Sequence, residues 1–174
     1  EGIIYSTAVQ NALYFAADHG ADIVSMSLGT SSISSDPATD IALQYAHNAG
    51  VILLASSGND NSDVIHYPAS NQYVIAVGAA SPCGERKSPI TCDGENWWGS
   101  NFGSAIQDDG ASIDIIAPSI IPATDIVGSG GYSSDNYTLY FNGTSASAPF
   151  AAGVCALIKS AHQSWTPSQV KQQL

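Results

Sequence analysis

A serine lies in a short polar turn that leads directly into a run of small and apolar residues. The turn is residues 142–145, and Gly143 within it permits backbone angles that other residues avoid. The run at residues 146–158 carries no charge, which predicts a helix buried on all sides. Ser145, at the start of that helix, would face free backbone N–H groups and the positive end of the helix dipole. This position suits a nucleophile that develops negative charge.

The same stretch has a plainer interpretation. Serine and threonine often cap helices, because their side-chain oxygen accepts a hydrogen bond from a backbone N–H of the first turn. We expect Pro149 in the first turn, where a missing N–H costs little, and this fits either interpretation. The residue types of the stretch leave both alternatives open.

The composition limits the classes of function. With 174 residues, 44% hydrophobic and 11% charged, the chain is long and apolar enough for one globular domain with a substantial core. Its net charge of −11, with four basic residues, makes nucleic acid and anionic membranes poor partners. We expect no transmembrane helix, since no stretch of ~20 apolar residues occurs. No CxxC or HExxH metal-binding spacing is present either.

The three cysteines have different surroundings. Cys83 and Cys92 lie in one Pro- and Gly-rich stretch, close enough to form a disulfide. Such a bond is typical of secreted proteins, and the alternative is two unpaired thiols in a loop. Cys155 falls in the apolar run, where we predict a buried free thiol.

Helical and strand-like patterns alternate along the chain. We expect helices at residues 6–19 with Ser6 as N-cap, from 36 or 39 to 50, and at 168–174; strands are expected at 22–29, 51–55, 74–78 and 113–118. Residues 132–141 are predicted to form two short strands with a turn near Asp135. Continuous apolar strands are typical of a buried parallel sheet. The predicted fold class is therefore α/β, a mostly parallel twisted sheet with helices on both faces.

Residues 143–149, followed by Ala152 and Gly153, resemble the nucleophile signature of the subtilisin-like serine peptidases, or subtilases. Further segments resemble family blocks in the same order: residues 20–29 the strand that lines the substrate cleft, 49–60 the strand and turn of the oxyanion-hole asparagine, then 67–79, 98–103, 113–118 and 166–170. The resemblance covers nearly the whole chain. It implies a partial subtilisin-like fold, in which residues 1–174 form the C-terminal part of one catalytic domain.

The resemblance implies a role for each matching residue. Ser145 would attack the carbonyl carbon of a peptide bond, and its backbone N–H and the Asn59 side-chain amide would bind the oxyanion. Considered alone, Asn59 also suits an Asx turn after a strand. Two segments would form the walls of the first specificity pocket and pair with an extended substrate. The implied substrate-binding residues are Ser27, Leu28, Gly29, Ser56, Ser57, Gly58 and Thr144.

His66 lies just before Tyr67, where the family places the floor of that pocket. A histidine at this position would favour large or acidic substrate side chains. The alternative is a solvent-facing loop histidine.

The resemblance is incomplete at the proton acceptor. A serine hydroxyl is a poor nucleophile until a base takes its proton. The family carries this base in a His-Gly-Thr motif and a supporting aspartate in an Asp-(Ser/Thr)-Gly motif, and neither string occurs in this chain. None of His19, His47 and His162 stands in the family position. We therefore expect a serine endopeptidase whose histidine and aspartate lie on an N-terminal part of the domain, so that this chain alone is inactive. The alternative is a non-catalytic module that binds extended peptides.

Two further departures from the family pattern stand out. Residues 81–96 form an inserted surface loop that holds Cys83 and Cys92, and Ser119 replaces a usual glycine; we expect neither to touch the chemistry directly. No cofactor is identified, and calcium is implied by the resemblance alone. We expect a secreted protein that acts on protein or peptide substrates and self-associates through exposed strand edges.

Overall fold

A computed structural model describes residues 4–104 and 112–174. The elements, in chain order, are α1 (Ser6–Asp18), β1 (Ile23–Met26), α2 (Pro37–Asn48), β2 (Ile52–Ser56), β3 (Val74–Ala80), β4 (Ile115–Pro118), β5 (Ile121–Thr124), β6 (Tyr137–Phe141), α3 (Thr144–Ala161) and α4 (Pro167–Gln173).

The strands β1 to β4 form one parallel sheet in chain order. Its register pairs Ile23 with Ile52, Leu53 with Val74, and Val77 with Ile115. The strand β2 is buried along its whole length, which explains its unbroken apolar sequence. The prediction of a mostly parallel α/β sheet is therefore confirmed.

Helices cover both faces of this sheet. One core joins α1 and α2 to the sheet around Leu13, Leu43 and Leu53. The other joins α3 and α4 to the opposite face around Leu54 and Cys155. Successive residues of a strand point to opposite faces, so the neighbours Leu53 and Leu54 belong to different cores.

The helix ends differ slightly from the sequence prediction. Tyr5, and not Ser6, is the N-cap of α1, and it makes no side-chain capping bond. The helix α2 follows Asp36 and begins with a proline. The helix α4 begins with a capping box, in which the side chains of Thr166 and Gln169 each accept from the other's backbone N–H. No helix in the described part of the chain is long and apolar enough to span a bilayer.

The prediction of two strands within residues 132–141 was wrong. One strand, β6, lies there, and its antiparallel partner is β5, which follows β4 almost immediately. Pro122 makes β5 difficult to recognise from the sequence, because proline cannot donate to a ladder. In the structure Pro122 lies at the register irregularity of the β5–β6 ladder, between the paired residues Ile121 and Ala123, where proline is tolerated.

The prediction that α3 is buried on all sides was also wrong. Ala148, Ala151 and Cys155 pack on the sheet, but Phe150, Val154 and Leu157 are 47%, 41% and 71% exposed. These three follow a spacing of four and three residues and so share one face of the helix. Among the described residues, the sheet and α4 supply the packing against α3, and they lie on its other side. Pro149 lies inside this helix rather than in its first turn.

Candidate active site

The nucleophile turn, residues 142–145, connects β6 to α3. Gly143 has φ 88° and ψ 163°, a region that is almost restricted to glycine. Ser145 follows as a half-buried residue in the first turn of an 18-residue helix. Backbone N–H groups of a first turn have no partner within the helix, so the N-terminal end of α3 offers donors and a positive dipole next to Ser145.

The proline inside α3 has a specific consequence for Ser145. Because Pro149 has no N–H, it cannot donate to the Ser145 carbonyl oxygen one turn earlier. The Ser27 hydroxyl donates to that oxygen instead, at 2.8 Å. Ser27 directly follows β1, so this bond ties the residue that carries the candidate nucleophile to the end of the sheet's first strand.

Asn59 lies against the same turn. Its Oδ1 accepts two hydrogen bonds from Thr144, one from the backbone N–H and one from the hydroxyl, both at 2.9 Å. These two donors fix the orientation of the amide, so that Nδ2 is the group that remains to donate. A Cβ atom on Gly143 would lie 3.3 Å from Asn59 Nδ2 and 3.6 Å from Ser145 N. Asn59 Nδ2 and Ser145 N therefore both lie next to the space that a side chain at position 143 would occupy, and this space is open because residue 143 is a glycine.

Residues 66 and 67 connect the two predicted walls of the specificity pocket, which are residues 27–29 and residues 56–58. The backbones of Thr30 and Tyr67 exchange two hydrogen bonds of 2.9 Å, and His66 N donates to Ser57 O at 2.9 Å. In one wall Ser27 and Gly29 are exposed and Leu28 is half-buried; in the other, Ser56, Ser57 and Gly58 are buried. The structure thus brings both segments, His66, Asn59, Thr144 and Ser145 into one neighbourhood.

His66 is packed between the two segments. A Cβ atom on Gly29 would lie 3.0 Å from His66 Cβ, and one on Gly58 would lie 2.9 Å from the imidazole ring. The ring Nε2 is 2.7 Å from Asp60 Oδ2, and the side chain is 17% exposed, against 62% for Asp60. His66 is therefore not a free, solvent-facing loop histidine; it is a held side chain with a carboxylate partner.

Asn101 is a supporting residue that sequence reasoning missed. It is fully buried, and its Oδ1 accepts from the backbone N–H groups of Asp60 and Ser62 at 2.8 and 3.1 Å. Its Nδ2 donates to Val64 O at 2.9 Å. The side chain thereby fixes the loop after Asn59. The available signal was a single asparagine between Gly99 and Gly103, which does not reveal a partner some forty residues away.

The inserted loop and Ser119 both contact the nucleophile turn, at Asn142 and Gly143, and the expectation that neither touches the chemistry directly stays a prediction. The Ser119 hydroxyl donates to Gly143 O at 3.0 Å. The Glu95 carboxylate accepts from Asn142 Nδ2, with oxygens at 3.1 and 3.0 Å. The disulfide loop, residues 81–98, therefore folds back onto the nucleophile turn. Spacing along the sequence gave no indication of this return.

The cysteines divide into a pair and a buried thiol. Cys83 and Cys92 are joined in a disulfide, with their Cα atoms 6.3 Å apart. Cys155 is free and fully buried in α3, and burial raises the pKa of its thiol to about 11.

No histidine among the described residues hydrogen-bonds to the Ser145 hydroxyl. His19 contacts Phe15 O, His47 lies over Tyr73, His162 stacks on Trp165, and His66 is paired with Asp60. The described residues also contain no group of three or more His, Cys, Asp or Glu side chains that could hold a metal ion. No step of the chemistry is assigned to the calcium that the resemblance implies.

Comparison with known proteins gives a consistent result. The model of the Subtilase family matches residues 1–174. Alkaline elastase YaB of Bacillus sp. (strain YaB) is 31% identical over 168 residues, which cover 97% of this chain and 38% of that protein. Subtilisin amylosacchariticus of Bacillus subtilis subsp. amylosacchariticus is 32% identical over 168 residues, covering 94% of this chain and 37% of its own length.

Solved structures show the same fold. Sphericase is similar with a TM-score of 0.73 at 25% identity, covering 99% of this chain and 55% of that structure. The prenylagaramide maturation protease PagA gives a TM-score of 0.71 at 28% identity, covering 99% and 57%. The chain thus spans less than two thirds of the length of these relatives. Since the family model matches every residue and the fold agrees, the chain belongs to the subtilase family.

Proposed function

We propose that this chain is part of a serine endopeptidase in which Ser145 is the nucleophile. One observation carries the proposal. The Ser145 N–H at the start of α3 and the Asn59 side-chain NH₂ both adjoin the open space beside Gly143. Preorganised donors of this kind stabilise the oxyanion that forms during acyl transfer.

The proposed reaction proceeds through an acyl-enzyme. Ser145 Oγ forms a bond to the carbonyl carbon, and its proton passes to a base outside this chain. Asn59 Nδ2 and the Ser145 N–H donate to the oxyanion of the tetrahedral intermediate. The carbon–nitrogen bond then breaks, and the amine leaves with the proton that the base returns. Water, deprotonated by the same base, hydrolyses the ester and regenerates the serine.

The substrate is proposed to be an extended stretch of protein or peptide. The two wall segments would hold one of its side chains, with Leu28 and Thr144 nearby and His66 as the floor between Gly29 and Gly58. The imidazole on this floor would favour large or acidic side chains. Beside Leu28 lies a cavity of about 290 Å³, lined in part by Val9, Ile33 and Tyr67, which would accept a second apolar side chain of the same substrate.

The base and its aspartate are proposed to lie on an N-terminal part of the domain that packs against this chain. The exposed face of α3 and the strand β1, which pairs only with β2 among the described strands, are surfaces for that packing. Secretion is proposed as well, on the strength of the disulfide between Cys83 and Cys92.

Labelling with a fluorophosphonate probe tests the proposed nucleophile. A longer protein that includes the N-terminal part should be labelled, and Ser145→Ala should abolish labelling. The chain alone should label weakly, because no base activates its serine. Ser147→Ala is the matched control, since Ser147 is buried, donates to Pro118 O at 3.2 Å and should not react. A longer protein that never labels but binds peptides would reject the peptidase and favour a non-catalytic binding module.

A further inference from the structure

The disulfide loop contains a buried ammonium group that no part of the proposed reaction uses. Lys87 is fully buried. Its Nζ donates to the carbonyl oxygens of Ser88 and Glu95 at 2.7 Å and of Trp98 at 3.2 Å. The carboxylate of Asp93 completes the set, with Oδ1 at 3.3 Å. Four oxygens thus surround one positive charge, as the removal of an ammonium from water requires.

This arrangement fixes the backbone on both sides of Glu95. The Glu95 carbonyl accepts from Lys87, and the Glu95 N–H donates to Asp93 Oδ1 at 2.9 Å. The Glu95 side chain is consequently directed inward, where it is 7% exposed. Trp98 Nε1 donates to its Oε2. The Glu95 carboxylate is therefore buried, and the hydrogen bonds of the Glu95 backbone keep it in this position.

The other hydrogen bond of this carboxylate goes to the nucleophile turn. Asn142 Nδ2 donates to it, and Asn142 immediately precedes Gly143, whose unusual backbone angles set the direction in which α3 begins. The remaining residues of the turn are held by other segments, through Ser119, Asn59 and Ser27. Within the described structure, Glu95 is the partner of the turn's first residue.

We propose that Glu95 is a positioning residue, through which the disulfide loop holds the nucleophile turn in its reactive geometry by way of Asn142. The proposal rests on the proposed function, in which Ser145 is the nucleophile. A charge-assisted hydrogen bond accepted by a buried carboxylate is stronger than a neutral one, which suits a turn that must keep one particular backbone geometry.

Hydrogen–deuterium exchange of this chain tests whether Glu95 holds the nucleophile turn, and the experiment does not require catalytic activity. In Glu95→Ala, the peptide spanning the nucleophile turn should exchange roughly ten-fold faster, since one charge-assisted hydrogen bond is lost. Glu95→Gln should fall between wild type and Glu95→Ala, because its amide can still accept from Trp98 and donate to a flipped Asn142, but only through neutral hydrogen bonds. Glu85→Ala is the matched control, as it removes an exposed carboxylate from the same loop.

A double-mutant cycle separates positioning from general loop folding. Asn142→Ala should reproduce the faster exchange of the turn, and adding Glu95→Ala should change it little further, because both variants break one contact. Unchanged exchange of the turn in a Glu95→Ala protein that remains folded would overturn the proposal. Equal acceleration of the turn in Glu85→Ala would overturn it as well.

The kinetic consequence is measured in the longer, complete protein. Glu95→Ala should lower kcat for a peptide amide roughly ten-fold and change KM less, since attack by Ser145 limits that reaction and the turn serves mainly to present this nucleophile. Unchanged kcat in the variant would overturn the positioning role. A wild-type protein without activity would instead reject the proposed function, and the exchange experiment would still decide whether Glu95 holds the turn.

Discussion

At the scale of single residues, the two atoms of the Asn59 side-chain amide have different tasks. Oδ1 accepts from Thr144 twice, and Nδ2 adjoins the open space beside Gly143. A carboxylate of the same size could accept the same two bonds, but it could not donate to an oxyanion. This difference allows structure and catalysis to be separated by one substitution.

Asn59→Asp in the complete protein should therefore keep the turn intact and reduce kcat. Removal of one oxyanion donor costs about 10²–10³ in rate, a range that belongs to subtilisin itself, which is a relative of this chain. Asn59→Ala serves as the comparison, because it also loses the bonds to Thr144 and should lower the melting temperature. Full activity of the Asp variant would exclude Asn59 as a donor to the oxyanion.

At the scale of elements, the disulfide loop depends on the charged state of Asp93. Burial raises the pKa of this carboxyl, but hydrogen bonds from the Thr91 hydroxyl and the Glu95 N–H, together with the Lys87 ammonium, outweigh burial and lower the pKa below its usual value. A lowered pKa in the folded state means that Asp93 stabilises the loop above the unfolded pKa of about 3.9. That contribution is lost as the pH falls below this value towards the folded pKa.

Urea unfolding between pH 6 and pH 3 measures this dependence. Wild type should lose more stability below about pH 4 than Asp93→Asn does, because the amide has no proton to gain. Asp93→Asn should be the less stable protein at pH 6, since Lys87 then lacks its counter-charge. Asp63→Asn, which alters an exposed carboxylate, provides the matched control. Identical pH dependence of wild type and Asp93→Asn would contradict the role of this ion pair.

Short stretches of the sequence were sufficient to predict some helices and strands, for physical reasons. The buried strand β2 is recognisable because every residue is apolar or small, and α4 because Thr166 followed by Pro167 is typical of a helix start. The strand β5 was missed because Pro122 is a poor strand residue. The contact of Glu95 with Asn142 was missed because it joins residues 47 positions apart, and no periodicity encodes such a contact.

At the scale of the whole molecule, α3 exposes an apolar stripe formed by Phe150, Val154 and Leu157. Residues 146–158 carry no charge, which predicted that the helix is buried on all sides. A pattern of residue types cannot show, however, whether another segment covers each face of the helix. Exposed apolar patches and unpaired strand edges both favour association. This chain alone should therefore self-associate.

Light scattering of the isolated chain measures the expected association. Leu157→Lys should shift the chain towards monomer, because it places a charge in the stripe. Leu139→Lys is the matched control, since Leu139 is 64% exposed on β6, outside the stripe. A wild-type chain that is monomeric at high concentration would contradict this prediction.

The nucleophile turn is held by contacts from four separate segments, through Glu95, Ser119, Asn59 and Ser27, and we propose that it thereby presents Ser145 for attack. The most direct test is a peptide map, by mass spectrometry, of the complete protein after reaction with a fluorophosphonate. We expect a single phosphonyl adduct on Ser145 and none on the buried Ser147. An adduct on another serine, with Ser145 unmodified, would contradict the assignment of the nucleophile.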